Sequence, residues 1–322
     1  MKTIKKITCI ALVLLITVSA VFAGGSSESS AKKTYKVGIC QFVQHVALDS
    51  ATQGFMDALK DALGDSVVFD NQNASGDMST VTTIVNSLVS NKVDLILANA
   101  TPPLQVAAAA TGDIPILGTS VTDYETALDL KLNNGATGIN ISGASDLAPL
   151  DKQAQMIVEL FPGVKNVGLL YCSAEPNSVY QINQMETYLM QMGIKSTRYA
   201  FTDSNDVASV TEAACKSADV LYIPTDNTAA SCTEAIRNVI EPAKVPVIAG
   251  EEGICVGCGV ATLTISYYDL GYTTGKMAVE VLRDGADISK MPIQYAANPI
   301  KKYNAELCSL LGVKIPSDYT AI

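Results

Sequence analysis

The chain has 322 residues, of which 48% are hydrophobic and 17% charged, and its formal net charge is −10. An acidic chain with no basic cluster is a poor match for nucleic acid or an anionic membrane surface. One histidine and no tryptophan argue against a histidine-built metal centre and against the indole platform common in sugar sites.

Residues 1–23 read as an export signal. Lys2, Lys5 and Lys6 form its basic start, Ile7 to Ala20 its apolar stretch, and Val21-Phe22-Ala23 its cleavage site before Gly24. The alternative is an uncleaved anchor, for which the uncharged run from Ile7 to Gly25 is barely long enough. The small residues from Ala23 to Ser27 favour cleavage. Cys9 lies inside the apolar stretch with no cysteine after the cleavage site, so lipid attachment there is unsupported. Loss of the three lysines makes the remaining chain still more acidic. Residues 24–34 are Ser/Gly-rich at their start and read as a flexible leader.

From Tyr35 onward strand and helix signals alternate. Strands are predicted at 35–40, 67–69, 93–98 and 114–118, with helices at 46–63, 78–89 and 104–110. After Thr137–Ile141 a second set begins. Its strands are predicted at 166–171, 195–199, 219–223 and 245–249, and its helices at 147–160, 177–192, 207–216 and 228–240. A last helix is predicted from Tyr267 to Arg283, before Gly285. Short apolar strands between helices imply parallel βαβ units.

One segment order occurs twice. Val37-Gly38-Ile39, Asp94–Ala98 running into Thr101-Pro102, and Ile114-Pro115-Ile116-Leu117 are followed by counterparts in the second half. Those are Val167-Gly168-Leu169-Leu170, Asp219–Ile223 running into Thr225-Asp226, and Val245-Pro246-Val247-Ile248. This predicts two doubly wound Rossmann-like lobes with a cleft between them. Ligands of such sheets sit beyond the carboxyl ends of the strands. The predicted ends are Gln41–Asp49, Asn99–Gln105, Thr119–Asp123, Ser173–Ser178, Thr225–Thr228 and Gly250–Glu252, all polar and several opening a helix.

Seven cysteines follow the signal, and most sit singly in apolar patterns, so burial is the expectation. Cys255-x-x-Cys258 has neither a second pair nor nearby histidines, and reads as a strand-edge pair or local disulfide instead of a metal site. No metal and no cofactor is predicted. No dinucleotide fingerprint, Walker sequence or Gly-x-Ser-x-Gly turn occurs, so a hydrolase would have to be built on His45.

The segment from Val37 to Asp49 resembles the opening of the tryptophan/tyrosine ABC-transporter substrate-binding family. So do Ala100-Thr101-Pro102, Ser120–Asp123, Ser173–Ser178, Pro224–Asn227 and Tyr267–Gly271, in order over nearly the whole exported part. Where the family has Glu-His-Pro this chain has Gln44-His45-Val46. The resemblance implies a type I periplasmic-binding fold with a three-crossover hinge. On that pattern one lobe comprises 35–143 and 264–290, and the other 144–263 and 291–322. It further implies a monomer outside the cytoplasmic membrane, in the periplasm or at its outer face. That monomer would deliver a small amino acid, of aromatic type, to an ABC permease without catalysis.

An amino acid carboxylate calls for hydroxyl and N–H donors, which Thr101, next to Pro102, and Asn177-Ser178 can supply. The ammonium calls for a carboxylate, with Asp226 expected to point into the cleft, Asp123 second and Glu175 third. The side chain calls for an apolar floor, with Tyr268 the foremost candidate among Phe42, Leu48, Tyr124 and Tyr180. Gln41, Asp49, Thr122, Thr225, Asn227 and Glu251 complete the expected lining. The competing expectations are a branched-chain amino acid, a peptide-like molecule or a sugar in the same fold, a signalling receptor, or a hydrolase using His45.

Overall fold

The computed structural model describes residues 33–296 and 298–322, so the expected export signal and nearly all of the expected leader lie outside the described residues. The first lobe begins β1 (Tyr35–Gln41), α1 (Val46–Leu63), β2 (Val67–Asn73), α2 (Met78–Ser90), β3 (Leu95–Asn99) and α3 (Thr101–Ala110). It continues with β4 (Ile116–Thr119), α4 (Tyr124–Leu128) and β5 (Ile141–Ser145).

The second lobe follows with α5 (Leu150–Leu160), β6 (Asn166–Cys172), α6 (Pro176–Gln191), β7 (Lys195–Phe201), α7 (Val207–Cys215) and β8 (Val220–Ile223). Next come α8 (Asn227–Ser231), α9 (Thr233–Ala243), β9 (Val247–Ala249), α10 (Glu252–Cys258) and β10 (Ala261–Thr264). The chain then returns to the first lobe for α11 (Tyr267–Leu282) and β11 (Gln294–Tyr295). It ends in the second with β12 (Ile300–Tyr303), α12 (Ala305–Leu311) and β13 (Thr320–Ala321).

The first sheet has the order β2-β1-β3-β4-β5-β11 and the second β7-β6-β8-β9-β10-β12-β13. The first five strands of each sheet therefore repeat one winding, which is the duplication legible in the sequence. All pairs in the first sheet are parallel, and in the second only β10 with β12 is antiparallel. Alternate strand residues feed opposite faces. Val37 and Ile39 of β1 pack with Phe55, Leu59 and Met277, while Cys40 packs with Leu88 and Leu104 on the other side. Each strand order reverses between its first and third strands (β1 and β3, then β6 and β8), and the crevice at such a switch point faces the partner lobe.

α1 and α11 meet at backbone distance. A Cβ on Gly271 would lie 1.9 Å from the Ala51 carbonyl oxygen, and one on Gly54 2.1 Å from that of Tyr268. Only glycine permits this approach, which attaches the last long helix to the first lobe.

Several expectations need correction. β5 stays in the first sheet through Ser145, and β11 joins it with Gln294 opposite Ala144. The Ser142 hydroxyl donates to the Met291 carbonyl. Backbone pairing thus carries the first sheet through Ser145 and takes it up again at Gln294 and Tyr295, beyond the expected bounds of 143 and 290. The helix predicted over 228–240 is two helices, α8 and α9, separated at Cys232, whose φ of −120° and ψ of 20° leave the helical region. Cys255 and Cys258 lie on α10, not on a strand edge, and both are buried free thiols. Burial pushes both thiols up, which makes them core residues and poor nucleophiles. α4, α10, α12 and the strands after β9 are short elements that the periodicity did not resolve.

Candidate functional site

The two switch points bring the β1–α1 loop and the starts of α3 and α4 against the starts of α6, α8 and α10. Polar atoms enclosed without a partner gather here. Among the described residues, Asn99 Oδ1, Thr101 Oγ1, Thr119 Oγ1, Ser120 Oγ, Asn177 Oδ1 and His45 Nδ1 are buried and unpartnered. Four of the six come from two adjacent strand ends, where Asn99 pairs with Thr119 and the Ala100 N–H donates to the Thr119 carbonyl. Buried polar groups ordinarily find partners, so a local cluster of exceptions calls for a physical cause. The backbone there is also strained, with φ of 102° at Ala100 and 55° at Ser120. Neither residue is glycine, and strain of this kind persists where the surroundings enforce it.

The first-lobe oxygens are held from behind by a relay. Asp49 accepts from Gln41 Nε2 at 2.6 Å, Gln41 Oε1 accepts from Thr52 at 2.7 Å, and Thr52 Oγ1 accepts from Asn99 Nδ2 at 2.9 Å. Asn99 Nδ2 also donates to the Leu48 carbonyl. The amide hydrogens of Asn99 are thereby consumed, and its oxygen turns to the opposite side. α3 opens with Thr101-Pro102-Pro103. Neither proline carries an N–H, so hydroxyls supply donors that a helix start would ordinarily provide from backbone.

In the second lobe Glu175 is the hub. It accepts from Asn177 Nδ2, from the backbone and side chain of Asn227, and from the backbone and side chain of Thr228. Asn177 Nδ2 donates further to Ser178 and to the Thr225 carbonyl, which leaves its Oδ1 as the unpartnered atom. His45 crosses between the lobes, with Nε2 3.2 Å from Asn227 Oδ1. The two lobes meet through this contact.

A third group lies at the hinge. Asp146, 3% exposed, accepts from Thr122 Oγ1 at 3.0 Å and from the Tyr267 hydroxyl at 2.9 Å. Two cavities flank the junction. One of ≈ 170 Å³ is lined by Phe42, Val43, Pro102, Cys172 and Ala174 among others. The other, of ≈ 230 Å³, is lined by Val46, Ala47, Glu251, Tyr267 and Tyr268 among others.

The expected residues divide accordingly. Thr101, Pro102, Asn177, Ser178, Thr225, Asn227, Glu175 and Glu251 all lie at this junction, while Gln41, Asp49 and the core residue Leu48 stand behind it. Thr122 serves Asp146. Asp226 does not point free into the cleft: its carboxylate accepts from the Cys172 N–H at 2.6 Å and the Ala229 N–H at 2.8 Å. Glu251 likewise caps α10 through the N–H groups of Gly253 and Ile254. Asp123 caps α4 at the outer edge. Tyr268 is 42% exposed, stacks on Tyr272 and donates to Asp57, so its neighbour Tyr267 is the tyrosine that faces the hinge. Tyr124 is a core side chain and Tyr180 lies on α6, half-buried. Asn99, Thr119, Ser120, Asp146 and Tyr267 were missed as individual residues. The first three stand in strand ends already marked as polar; Asp146 follows β5, whose position the sequence left undefined.

Burial raises the Asp146 carboxyl to about 6 and that of Glu251 to about 7. It also raises Asp226, next to Glu175. Carboxyls held above their unfolded values make folding take up protons. Their contribution is fully present below about pH 4 and is lost as pH rises through 6 to 7. The Asp146 and Glu251 carboxyls each contribute on the order of 3 kcal/mol at most. The ligand-free protein is therefore expected to melt several degrees lower at pH 8 than at pH 5. Differential scanning fluorimetry with an Asp146→Asn, Glu251→Gln control should show a flatter profile in the variant. A wild-type Tm that rises over this interval contradicts the assignment.

Residues 36–320 match the ABC transporter substrate binding protein family model. The chain is 36% identical over 272 residues to a tyrosine-binding protein of Clostridioides difficile, covering 83% of this chain and 78% of the relative. It is similar to an ABC domain of Streptococcus pneumoniae crystallised with L-Trp, at 32% identity over 90% of this chain and 100% of that one, with a TM-score of 0.86. A ligand-free, open structure of an adhesive substrate binding protein from Clostridium difficile is 36% identical over 90% of this chain and 99% of that one. Its TM-score is only 0.69. The relative less similar in sequence is thus the more similar in arrangement, in keeping with the cross-lobe contacts above. With two repeated lobes, a closed junction lined by enclosed polar atoms and a match over residues 36–320, the chain belongs to the ABC transporter substrate binding protein family.

Proposed function

We propose that this chain is the extracytoplasmic solute-binding component of an ABC importer, and that it holds one free aromatic amino acid between its lobes. The observation that carries this reading is the cluster of enclosed, unpartnered atoms, which includes both hydroxyls and amide oxygens. Thr101, Thr119 and Ser120 offer three hydroxyls at neighbouring strand ends, suited to a carboxylate. Asn99 Oδ1 and Asn177 Oδ1, one from each lobe, are acceptors suited to an ammonium. Ligand groups touching both lobes stabilise closure, since only differential contacts shift such an equilibrium. The apolar part of the ligand is assigned to the cavity lined by Phe42, Val43, Pro102 and Ala174. An aromatic contact there adds about 0.5–1.5 kcal/mol beyond burial.

The aromatic class is supported by the tyrosine-binding and L-Trp-complexed relatives. The released binder is a monomer, exported by the signal at 1–23, and an ABC permease receives its ligand. It is assigned no catalytic step; His45, on which a hydrolase would have to be built, has its Nε2 3.2 Å from Asn227 Oδ1.

Calorimetry on the mature chain tests this. L-tyrosine, L-tryptophan or L-phenylalanine should bind one to one, more tightly than L-leucine or glucose, and be recovered unchanged. Preference for leucine or glucose, or recovery of a converted product, overturns the reading. A ligand that binds the native state also raises Tm by mass action, which supplies an independent readout.

A further inference from the structure

His45 joins the two lobes by one hydrogen bond. Its Nε2 lies 3.2 Å from Asn227 Oδ1, and Asn227 Nδ2 is committed to Glu175 Oε2 at 2.7 Å. The orientation of the Asn227 amide is thus assigned by its neighbours: its oxygen faces His45, so Nε2 must be the protonated nitrogen. In a neutral ring Nδ1 is then an acceptor, and it is buried with no partner. The hydrogen-bond chain His45–Asn227–Glu175–Asn177 ties this nitrogen to the residue bearing the unpartnered Asn177 oxygen. Asn99 Oδ1 is a further enclosed acceptor without a partner, and an ammonium group is a donor only. The carboxylates at the junction are committed elsewhere: Asp226 and Glu251 to helix N–H groups, Glu175 to Asn177, Asn227 and Thr228, and Asp146 to Thr122 and Tyr267.

We infer that His45 is a ligand-binding residue whose neutral imidazole accepts a hydrogen bond from the ligand's ammonium through Nδ1, while its Nε2–H ties the lobes through Asn227. This deepens the functional reading and rests on it. The ammonium is held by neutral oxygens and one nitrogen instead of an ion pair. Burial lowers the His45 pKa, against opposing contributions from the Asn227 hydrogen bond and from Glu175 and Asp49, which favours the neutral ring.

Asparagine and glutamine separate the two roles, because an asparagine amide reaches the position of Nδ1 and a glutamine amide that of Nε2. Calorimetry with L-tyrosine and L-tryptophan should show His45→Asn losing about fivefold or less, His45→Gln tenfold or more, and His45→Phe at least as much as His45→Gln. The reverse order, with glutamine the better replacement, would show that His45 only latches the lobes and would overturn the inference. His45 is the sole histidine, so a ¹⁵N-histidine label on untagged protein gives one imidazole. The bound state should carry its proton on Nε2, with the Nδ1 resonance displaced by ligand. An Nδ1-protonated ring, or a resonance indifferent to bound amino acid, refutes the assignment. Failure of wild-type protein to bind any aromatic amino acid would instead remove the functional reading beneath it.

Discussion

Replacing Thr101 and Thr119 together by valine is expected to weaken L-tyrosine or L-tryptophan binding by at least about a hundredfold without lowering Tm. Valine keeps the shape of threonine and removes only the hydroxyl as a hydrogen-bonding group. Both hydroxyl oxygens are enclosed and unpartnered, in residues 2% and 0% exposed. A hydrogen bond to a charged group contributes about 1.5–3 kcal/mol, so two of them amount to two or more powers of ten in affinity. In the ligand-free protein the same oxygens are desolvated without compensation, and their loss should be neutral or mildly stabilising. Opposite effects on binding and on stability mark groups retained for a ligand. Calorimetry paired with thermal melts decides the matter: a variant that melts lower yet binds normally would make these hydroxyls structural.

Asp226→Ala is expected to behave in the contrary way. Its carboxylate accepts from the Cys172 N–H and the Ala229 N–H. Alanine would strand these donors inside the second lobe and uncap α8. Each stranded donor costs about 1–3 kcal/mol and the cap about 1. Removing a carboxyl that is buried beside Glu175 offsets part of this. A net loss of roughly 3 kcal/mol lowers Tm by about 5–10 °C in a chain of this size. Affinity measured well below the melting range should change only a few-fold. An unchanged Tm with affinity down tenfold or more would return Asp226 to the role first expected of it, as partner of the ammonium.

The Asp226 outcome shows where reading along the chain stops. An acid after an apolar strand and before Asn227 suits both a ligand contact and a helix cap, and the local pattern is the same in either case. What decides is the position of the Cys172 N–H, 54 residues away in sequence. Tyr268 and Tyr267 pose the same problem. Adjacent tyrosines at a helix start differ by about 100° in direction, and only the packing of α11 on α1 determines which one turns to the hinge.

The sequence by itself determined the doubled winding, most of the longer elements and the polar strand ends, because hydrophobic periodicity and strand–helix alternation are local and repeat in register. It also brought Thr101, Asn177 and Asn227 into consideration through their place after buried strands. Only the tertiary structure decided which polar atoms stay unpaired. That depends on which donors neighbouring strands and the opposite lobe have already consumed, and hydrogen-bond saturation is a property of the folded whole. Asn99 and His45 become candidates for this reason: one amide is exhausted by Leu48 and Thr52, and one imidazole reaches across the cleft to Asn227.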